Sequence, residues 1–231
     1  MVDYNDSALV ASMIDQTLLK PGVGHLAYEE FITGNSSLGF HTIFVPPVYL
    51  SLMTRLLAKS PTLSGAIVGF PFGWESRKEK LYQLNDALKQ GADEVDFVVN
   101  ISKLKSSDYL YVKDELKALR EEALKYKNKF GKKIILKCII ECCLLEDDEK
   151  LKAVELLREE RIDFVKTSTG TSKWGAKAED VKLLAEAGRE TLKVKASGGI
   201  RTLDDFKAMV EAGASRIGTS AGLEIINTNP I

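Results

Sequence analysis

The chain has 231 residues, 45% of them hydrophobic, and its 32 basic residues nearly balance its 33 acidic ones, for a formal net charge of -1. This balance gives no strong field for nucleic acid or an anionic membrane, so we expect neither partner. The three cysteines, two of them adjacent at Cys142 and Cys143, suggest neither a disulfide framework nor a metal site. With no signal-peptide pattern and no apolar run near the roughly 20 residues that span a bilayer, we expect a soluble cytoplasmic protein.

Short apolar segments alternate with longer amphipathic segments along the chain. Strands are predicted at residues 13–18, 40–45, 64–70, 94–99, 133–140, 164–167, 192–195 and 216–218. Helices are predicted at residues 26–34, 49–59, 75–90, 108–127, 147–160, 178–187 and 203–211. A capping-box pattern beginning at Thr202 supports the last helix, and Gly91, Gly188 and Gly213 stand where glycine C-caps are expected.

This order of elements predicts the α/β class, and within it a single (β/α)8 TIM barrel over residues 1–231. A doubly wound sheet is the rival fold, but it usually carries its glycine signature in the first strand–helix loop. Here that loop has only Gly22 and Gly24, and the glycine-rich loops follow the late strands instead. No shift in composition divides the chain.

Lys166 lies inside a predicted buried strand and is followed by Thr-Ser-Thr and Gly170. Strand alternation places Phe164 and Lys166 on one face, and at the carboxyl end of a barrel strand Lys166 points into the mouth. Burial lowers the pKa of an ammonium and produces a nucleophilic amine. The alternative is a lysine that reaches past the strand end to solvent.

Lys195 repeats this arrangement on the next predicted strand, before Gly198 and Gly199. Nucleophilic work needs a lysine pKa lowered by roughly 3 units, or about 4 kcal/mol. An ammonium about 5 Å away supplies about 3 kcal/mol at an effective dielectric of about 20, and burial can supply the rest. Either lysine can be the nucleophile on these grounds. The pair indicates amine catalysis on a phosphorylated carbonyl compound, which needs no metal or cofactor.

Carboxylates are the candidates for proton transfer. Asp96 shares one face of an apolar strand with Glu94, and among lysines it would stay ionised and relay protons through water. A structural ion pair is the alternative. Asp15 is a similar carboxylate on the first predicted strand. Lys137 and Glu141 share a strand face and are expected to pair, with Lys137 in a structural or electrostatic role.

The glycine-rich loops are candidates for a phosphate site. Gly170, the pair Gly198 and Gly199, and the segment from Gly218 to Ser220 expose backbone N–H groups without side-chain obstruction. Such groups bind a phosphate dianion. Each loop alone could be a tight turn, but three loops on one barrel face favour phosphate.

Six segments carry a resemblance to a known family. They are residues 14–21 (IDQTLLKP), 68–73 (VGFPFG), 92–96 (ADEVD), 164–170 (FVKTSTG), 194–202 (VKASGGIRT) and 213–220 (GASRIGTS). With them the chain resembles deoxyribose-phosphate aldolase, a metal-independent class I aldolase family with a (β/α)8 fold. The resemblance implies reversible cleavage of 2-deoxy-D-ribose 5-phosphate to acetaldehyde and D-glyceraldehyde 3-phosphate, in deoxyribonucleoside catabolism.

The resemblance also implies roles for individual residues. Lys166 matches the Schiff-base lysine, Lys195 the partner that lowers its pKa and relays protons, and Asp96 the proton donor and acceptor. The phosphate loops fall on Gly170, Gly198, Gly199, Gly218 and Ser220. Further substrate contacts are expected from Asp15, Thr17, Lys137 and Thr167. No cofactor and no metal are implied, and we expect a homo-oligomer, a dimer or a tetramer.

Several positions depart from the family pattern. Gln16 stands where the family often has histidine, Pro46 where asparagine or tyrosine is usual, and Ala221 where a second serine is common. A tyrosine-bearing tail, present in some members, is replaced by residues 229–231 (Asn-Pro-Ile). Phe44 replaces a cysteine that many members carry. Because thiolates attack aldehydes, the absence of this cysteine predicts good tolerance of high acetaldehyde concentrations.

Other functions are compatible with the same features. One is a different phosphate-binding barrel enzyme, either an isomerase or another Schiff-base aldolase. The other is a non-catalytic sugar-phosphate binder, although mere binding needs neither the two lysines nor Asp96.

Overall fold

The structure is a computed structural model that describes residues 2–228. Eight parallel strands follow one another around a closed barrel, and β1 pairs with both β2 and β8. The strands are β1 (Ile14–Thr17), β2 (Thr42–Phe44), β3 (Leu63–Val68), β4 (Glu94–Val98), β5 (Ile135–Ile139), β6 (Phe164–Lys166), β7 (Lys193–Ser197) and β8 (Arg216–Thr219). The predicted (β/α)8 fold is confirmed, and each predicted strand is present with its ends shifted by no more than two residues.

Helices connect the strands around the outside of the barrel. They are α1 (Ser7–Ser12), α2 (His25–Asn35), α3 (Leu50–Leu56), α4 (Arg77–Lys89), α5 (Ile101–Lys105), α6 (Tyr109–Ala123), α7 (Asp147–Glu159), α8 (Ala178–Gly188), α9 (Leu203–Glu211) and α10 (Gly222–Asn227). The sequence patterns missed α1, α5 and α10, because helices of five or six residues are too short to display a 3.6-residue period. No helix within residues 2–228 is long and apolar enough to cross a membrane.

Two of the three expected glycine caps are present. Gly91 and Gly213 follow α4 and α9 with φ of 93° and 113°. The expectation for Gly188 is wrong, because α8 continues through this residue and the positive φ, 53°, falls on Arg189. The capping box of α9 is confirmed: Thr202 Oγ1 accepts from the Asp205 amide, and the Asp205 carboxylate accepts from the Thr202 amide.

Alternation along the strands separates an apolar outer layer from a charged barrel interior. Val95 and Phe97 on β4, like Leu136 on β5, point outward and join the hydrophobic core under the helices. Asp96, between Val95 and Phe97, and Lys137, next to Leu136, pair in register and point inward. Barrel interiors are usually filled by branched apolar side chains. A charged layer in this interior therefore indicates a role other than packing.

Phe44 is a large aromatic side chain inside this barrel, and a glycine leaves room for it. Gly65 on β3 pairs with Phe44 in register. A Cβ atom at Gly65 would lie 2.4 Å from Cζ of the Phe44 ring. The ring in turn lies under two ammonium groups, with Lys195 Nζ at 4.2 Å and Lys137 Nζ at 4.8 Å from its centroid. These distances suit cation–π contacts.

We therefore expect Gly65→Ala to destabilise the protein by about 1–3 kcal/mol, because the added methyl group overpacks against the Phe44 ring. Alanine normally stabilises a strand relative to glycine, so a loss of stability in Gly65→Ala would point to the overpacking and not to strand propensity. Urea unfolding of Gly65→Ala, Phe44→Leu and the double variant measures the coupling. The double variant should lose less stability than the two single losses together. Strict additivity would contradict the packing described here.

Candidate active site

Asp96 is the centre of the charged interior, where three lysines converge on one carboxylate. Lys166 Nζ and Lys195 Nζ donate to the same oxygen, Asp96 Oδ2, at 2.8 and 2.7 Å. Lys137 Nζ donates to Oδ1 at 3.1 Å. All four side chains are buried. The three residues that the sequence marked for catalysis, on β4, β6 and β7, are thus brought into direct contact.

Two further carboxylates extend this network below Asp96. Asp15 Oδ2 lies 2.5 Å from Lys195 Nζ, and Asp15 Oδ1 accepts from Arg216 Nη1 at 2.8 Å. Glu94 Oε2 lies 2.5 Å from Lys137 Nζ and 3.3 Å from Arg216 Nη1. The sequence reasoning did not single out Arg216. Arg216 could have been predicted, because it is the first residue of a short strand whose alternate residues face the interior.

The expected pairing of Lys137 with Glu141 is wrong. Lys137 contacts Asp15, Glu94 and Asp96 instead. β5 ends at Ile139, so strand alternation no longer governs Glu141, which adopts a left-handed φ of 54°. Its buried carboxylate accepts from the amide of Thr169 at 3.3 Å and from Oγ1 of that residue at 2.5 Å. Glu141 therefore holds the loop that follows Lys166, a role missed at the level of sequence.

The electrostatics of the network follow from its charges. Burial disfavours ionised carboxyl groups, but the lysines outweigh it and hold the pKa of Asp96 below its usual range. Burial also opposes the charge of Lys137, but Asp15, Asp96 and Glu94 overcome it and raise the pKa of that lysine. For Lys195 burial prevails and lowers the pKa to about 8, with further lowering by the ammonium groups of Lys166 and Lys137. Lys195 is thus a buried lysine with a pKa close to neutral.

Access to solvent distinguishes the two strand lysines. Lys166 is 6% exposed and lines a cavity of about 500 Å³ at the carboxyl ends of the strands. Lys195 is 1% exposed and does not line this cavity. The aliphatic part of Lys195 occupies space left by Gly218, where a Cβ atom would lie 3.0 Å from Lys195 Cε. A reactant in the cavity can therefore reach the amine of Lys166 but not that of Lys195.

The predicted phosphate loops form one wall of this cavity. The wall includes Gly170, Gly198, Gly199, Gly218 and Ser220. The first three of these have left-handed φ values of 80–88°. Within residues 2–228, the amides of Gly170, Gly199 and Ser220 donate to no protein acceptor. Unpaired N–H groups around a concave surface are suited to binding an anion.

The remaining predicted substrate contacts divide into two groups. Thr17 lines the cavity, whereas Asp15, Lys137 and Thr167 do not. Thr167 Oγ1 donates to the carbonyl of Ser197 and accepts from its amide, so it ties β6 to β7. Asp15 and Lys137 lie among the charges beneath the cavity.

Six polar residues that line the cavity were not predicted as site residues: Lys20, Thr169, Thr171, Ser197, Arg201 and Thr219. Arg201 could have been found, because it is the first cation after the glycine pair at Gly198 and Gly199. Lys20 and Arg201 bring positive charge to the wall that carries the unpaired amides. Both charges favour an anionic ligand there.

The departures from the family pattern mostly avoid the cavity. Gln16 points away from the barrel interior, toward the helices. Its Oε1 accepts from the Gly222 amide at 3.1 Å and its Nε2 donates to Asn35 at 3.3 Å. Pro46 precedes a short 3-10 helix at Pro47–Tyr49. The Ala221 amide donates to Thr219 Oγ1 at 2.9 Å. The tail at residues 229–231 lies outside the described residues.

Asp15, His41 and Glu94 come close enough to hold a metal ion, with one ligand atom of each within 4.8 Å of the others. Lys137 and Arg216 already contact both carboxylates. A metal would have to displace these cations. The cluster is therefore better described as part of the ion-pair network.

We expect Asp96→Asn to lower the free energy of unfolding by about 3–5 kcal/mol at pH 7, because three lysines lose their shared buried anion. The folded-state pKa of Asp96 is depressed, so its stabilisation is fully present above about pH 4, the ordinary Asp pKa, and is lost as the pH falls below that value. Urea unfolding at pH 7 and near pH 3 tests this.

The difference between wild type and Asp96→Asn should shrink in acid. Asp204→Asn is the matched control, because the Asp204 side chain is 93% exposed and its partner Lys207 lies at 3.7 Å. That variant should differ little from wild type at either pH. A difference for Asp96→Asn that is unchanged in acid would contradict the ionised, charge-sharing state of this carboxylate.

Comparison with known proteins shows the family of this chain. Residues 39–228 match the family model described as "DeoC/LacD family aldolase". The chain is 44% identical to a deoxyribose-phosphate aldolase of Thermoanaerobacter sp. (strain X514), over 94% of this chain and 95% of that protein. It is 40% identical to the Clostridium perfringens (strain SM101 / Type A) protein of the same name, over 95% of both.

Solved structures agree as well. The deoxyribose phosphate aldolase from Aeropyrum pernix, described as having a unique tetrameric structure, superposes with a TM-score of 0.87 at 30% sequence identity. The match covers 96% of this chain and 92% of that one. A second solved structure, named QR15 and described as an aldolase, matches with a TM-score of 0.88 at 35% identity, over 99% and 96% of the two chains. The protein therefore belongs to the DeoC/LacD family of aldolases.

Proposed function

We propose that this aldolase reversibly cleaves 2-deoxy-D-ribose 5-phosphate to acetaldehyde and D-glyceraldehyde 3-phosphate, through a Schiff base on Lys166. The substrate is the one in the names of the relatives. One observation carries the mechanism: Lys166 reaches the cavity while sharing Asp96 Oδ2 with the fully buried Lys195. That arrangement supplies an accessible amine beside a proton carrier.

Binding begins with the phosphate group in this scheme. The amides of Gly170, Gly199 and Ser220 receive the dianion, and Lys20 and Arg201 add charge. Fixing one end of the sugar phosphate in this way confines its aldehyde to the same cavity as the amine of Lys166. Confinement turns an encounter between two molecules into a reaction within one complex, which lowers the entropic part of the barrier.

The reaction then needs Lys166 as a free amine. Lys166 and Lys195 share one carboxylate oxygen, so repulsion between their two ammonium groups favours loss of a proton from the pair. One proton then remains between the two lysines. When Lys195 carries it, Lys166 attacks C1 of the sugar, and loss of water from the carbinolamine leaves an iminium.

Carbon–carbon cleavage uses this iminium as an electron sink. Removal of the C3 hydroxyl proton lets the C2–C3 bond break, which releases glyceraldehyde 3-phosphate and leaves an enamine on Lys166. Asp96 among three lysines is a weak base by itself. We therefore propose that a water molecule oriented by Asp96 accepts the C3 hydroxyl proton and exchanges it with Lys195. Protonation of the enamine and hydrolysis then release acetaldehyde and the free lysine.

The setting of the reaction is part of the proposal. We place the activity in the cytoplasmic breakdown of deoxyribonucleosides, as the family resemblance implies. We also extend the expectation of a homo-oligomer to this chain, supported by the tetramer described for the Aeropyrum pernix relative. Light scattering on the purified protein distinguishes a dimer, a tetramer and a monomer.

Trapping with borohydride tests the proposed nucleophile. Incubation with acetaldehyde followed by reduction should leave an ethyl group on Lys166, found by peptide mass spectrometry. Lys166→Met should lose the adduct, whereas Lys195→Met should form it more slowly at neutral pH. An adduct on Lys195 in the wild type would reverse the two roles. Its absence from folded wild-type protein would exclude a Schiff-base aldolase and favour an isomerase or a sugar-phosphate binder.

Tolerance of acetaldehyde is a second expected outcome. Phe44 is buried where many relatives carry a thiol, and burial raises the pKa of the Cys138 and Cys142 thiols. Both are thus poor nucleophiles. Wild-type protein should retain most of its activity after prolonged exposure to acetaldehyde. Phe44→Cys should lose activity with an adduct on the new thiol, because Lys137 and Lys195 favour its thiolate.

The matched control for this experiment is Phe44→Ser, which removes the ring without adding a thiol and should not become sensitive to the aldehyde. Cys143 is half-buried and is the remaining thiol to examine. Rapid irreversible inactivation of the wild type, with an adduct on Cys143 or a lysine, would show that Phe44 does not protect.

A further inference from the structure

Arg216 lies beneath the proposed catalytic lysines, at the amino-terminal end of the barrel. It is the first residue of β8, and its side chain is buried. Its guanidinium contacts Asp15 and Glu94 through Nη1, at 2.8 and 3.3 Å. It does not line the cavity of about 500 Å³. Any effect of Arg216 on the reaction must therefore pass through other residues.

A continuous chain of ion pairs supplies that path. Arg216 Nη1 lies 2.8 Å from Asp15 Oδ1, and the other oxygen of Asp15 lies 2.5 Å from Lys195 Nζ. Lys195 Nζ lies 2.7 Å from Asp96 Oδ2, which lies 2.8 Å from Lys166 Nζ. No link exceeds 3 Å, and every member is buried. Interactions between such charges are screened far less than those at the surface.

The charges in this network do not cancel. Its carboxylates are Asp15, Glu94 and Asp96, and its basic side chains are Lys137, Lys166, Lys195 and Arg216. Three negative groups therefore face four positive ones within the described interior. One positive charge lacks a partner, and the least costly way to remove it is to release a proton from a lysine. Arginine cannot serve, because a guanidinium keeps its proton in proteins.

We propose that Arg216 is a positioning residue for the proposed Schiff-base reaction: by occupying Asp15 and Glu94 it keeps the interior one positive charge in excess, so that the pair Lys166 and Lys195 gives up a proton and provides a free amine. The inference rests on the proposed function and adds the charge balance behind it. Without Arg216, three carboxylates would match three lysines, and each ammonium would keep its proton to higher pH.

The other groups around Arg216 do not offset its charge. His41, just before β2, faces the guanidinium, with Nε2 at 2.9 Å from Nη2. Burial and the charge of Arg216 lower the pKa of His41, which favours its neutral form beside the guanidinium. β6 contributes the Phe164 ring, 5.5 Å from Arg216 Cζ, and β3 carries no charged residue.

Paired charge variants test the inference. Arg216→Met removes a positive charge and Glu94→Gln removes a negative one, while neither residue lines the cavity. The readout is the rate of borohydride-trapped adduct formation on Lys166 with acetaldehyde, measured against pH. Relative to wild type, Arg216→Met should shift the profile to higher pH and Glu94→Gln to lower pH, each on the order of one pH unit.

Combining the two changes restores the balance of charges, so the double variant should return close to the wild-type profile. Arg216→Lys keeps the charge and should also leave the profile nearly unmoved. Shifts in the same direction, or rates that fall with no movement of the profile, would overturn the role of Arg216 and leave only a structural one. If Arg216→Met does not fold, Glu94→Gln and the double variant decide the sign.

The same experiment separates this inference from the proposed function. A wild-type adduct on Lys166 with unmoved profiles in the charge variants overturns the role of Arg216 alone. No adduct in folded wild type overturns the Schiff base, and the role of Arg216 with it.

Discussion

The sharing of Asp96 by three buried lysines is the constraint on which the rest of this site depends. A lone ammonium inside a barrel would be very unfavourable, and three would repel one another. One carboxylate at the centre makes their close approach possible while leaving their repulsion incompletely cancelled. In the proposed mechanism this residual repulsion favours loss of a proton from one of the lysines. The same contact that stabilises the interior would therefore also prepare it for the proposed amine chemistry.

The barrel explains how such a costly arrangement persists. Its hydrophobic core lies outside the sheet, under the helices, so the interior is free to hold charge instead of supplying most of the apolar burial. Glycines adjust the fit at two points. Gly65 leaves room for the Phe44 ring, and Gly218 leaves room for the stem of Lys195. Strands hold side chains more precisely than loops do. Asp96, Lys166 and Lys195 are on strands, whereas the unpaired amides proposed to bind the anion are on loops.

Alternation along strands made much of this predictable. It placed Lys166 and Asp96 toward the interior, because a period of two residues is read directly from the sequence. It failed at Glu141, where β5 had already ended and a left-handed residue turned the side chain toward Thr169. The helical period of 3.6 residues, in turn, missed the short helices α1, α5 and α10. Their stability comes from packing against neighbours and not from a period visible in the sequence.

The sequence alone determined the order of elements, the presence of two strand lysines before glycine loops, and the family resemblance. These follow from local patterns, which need no knowledge of distant contacts. Only the tertiary structure decided that Lys166 reaches the cavity and Lys195 does not, and that Arg216 joins the network from the far end of the barrel. Both depend on closure of β8 against β1, which joins residues about two hundred positions apart in the chain. Burial and charge balance at such a junction are properties of the closed barrel, which no local segment contains.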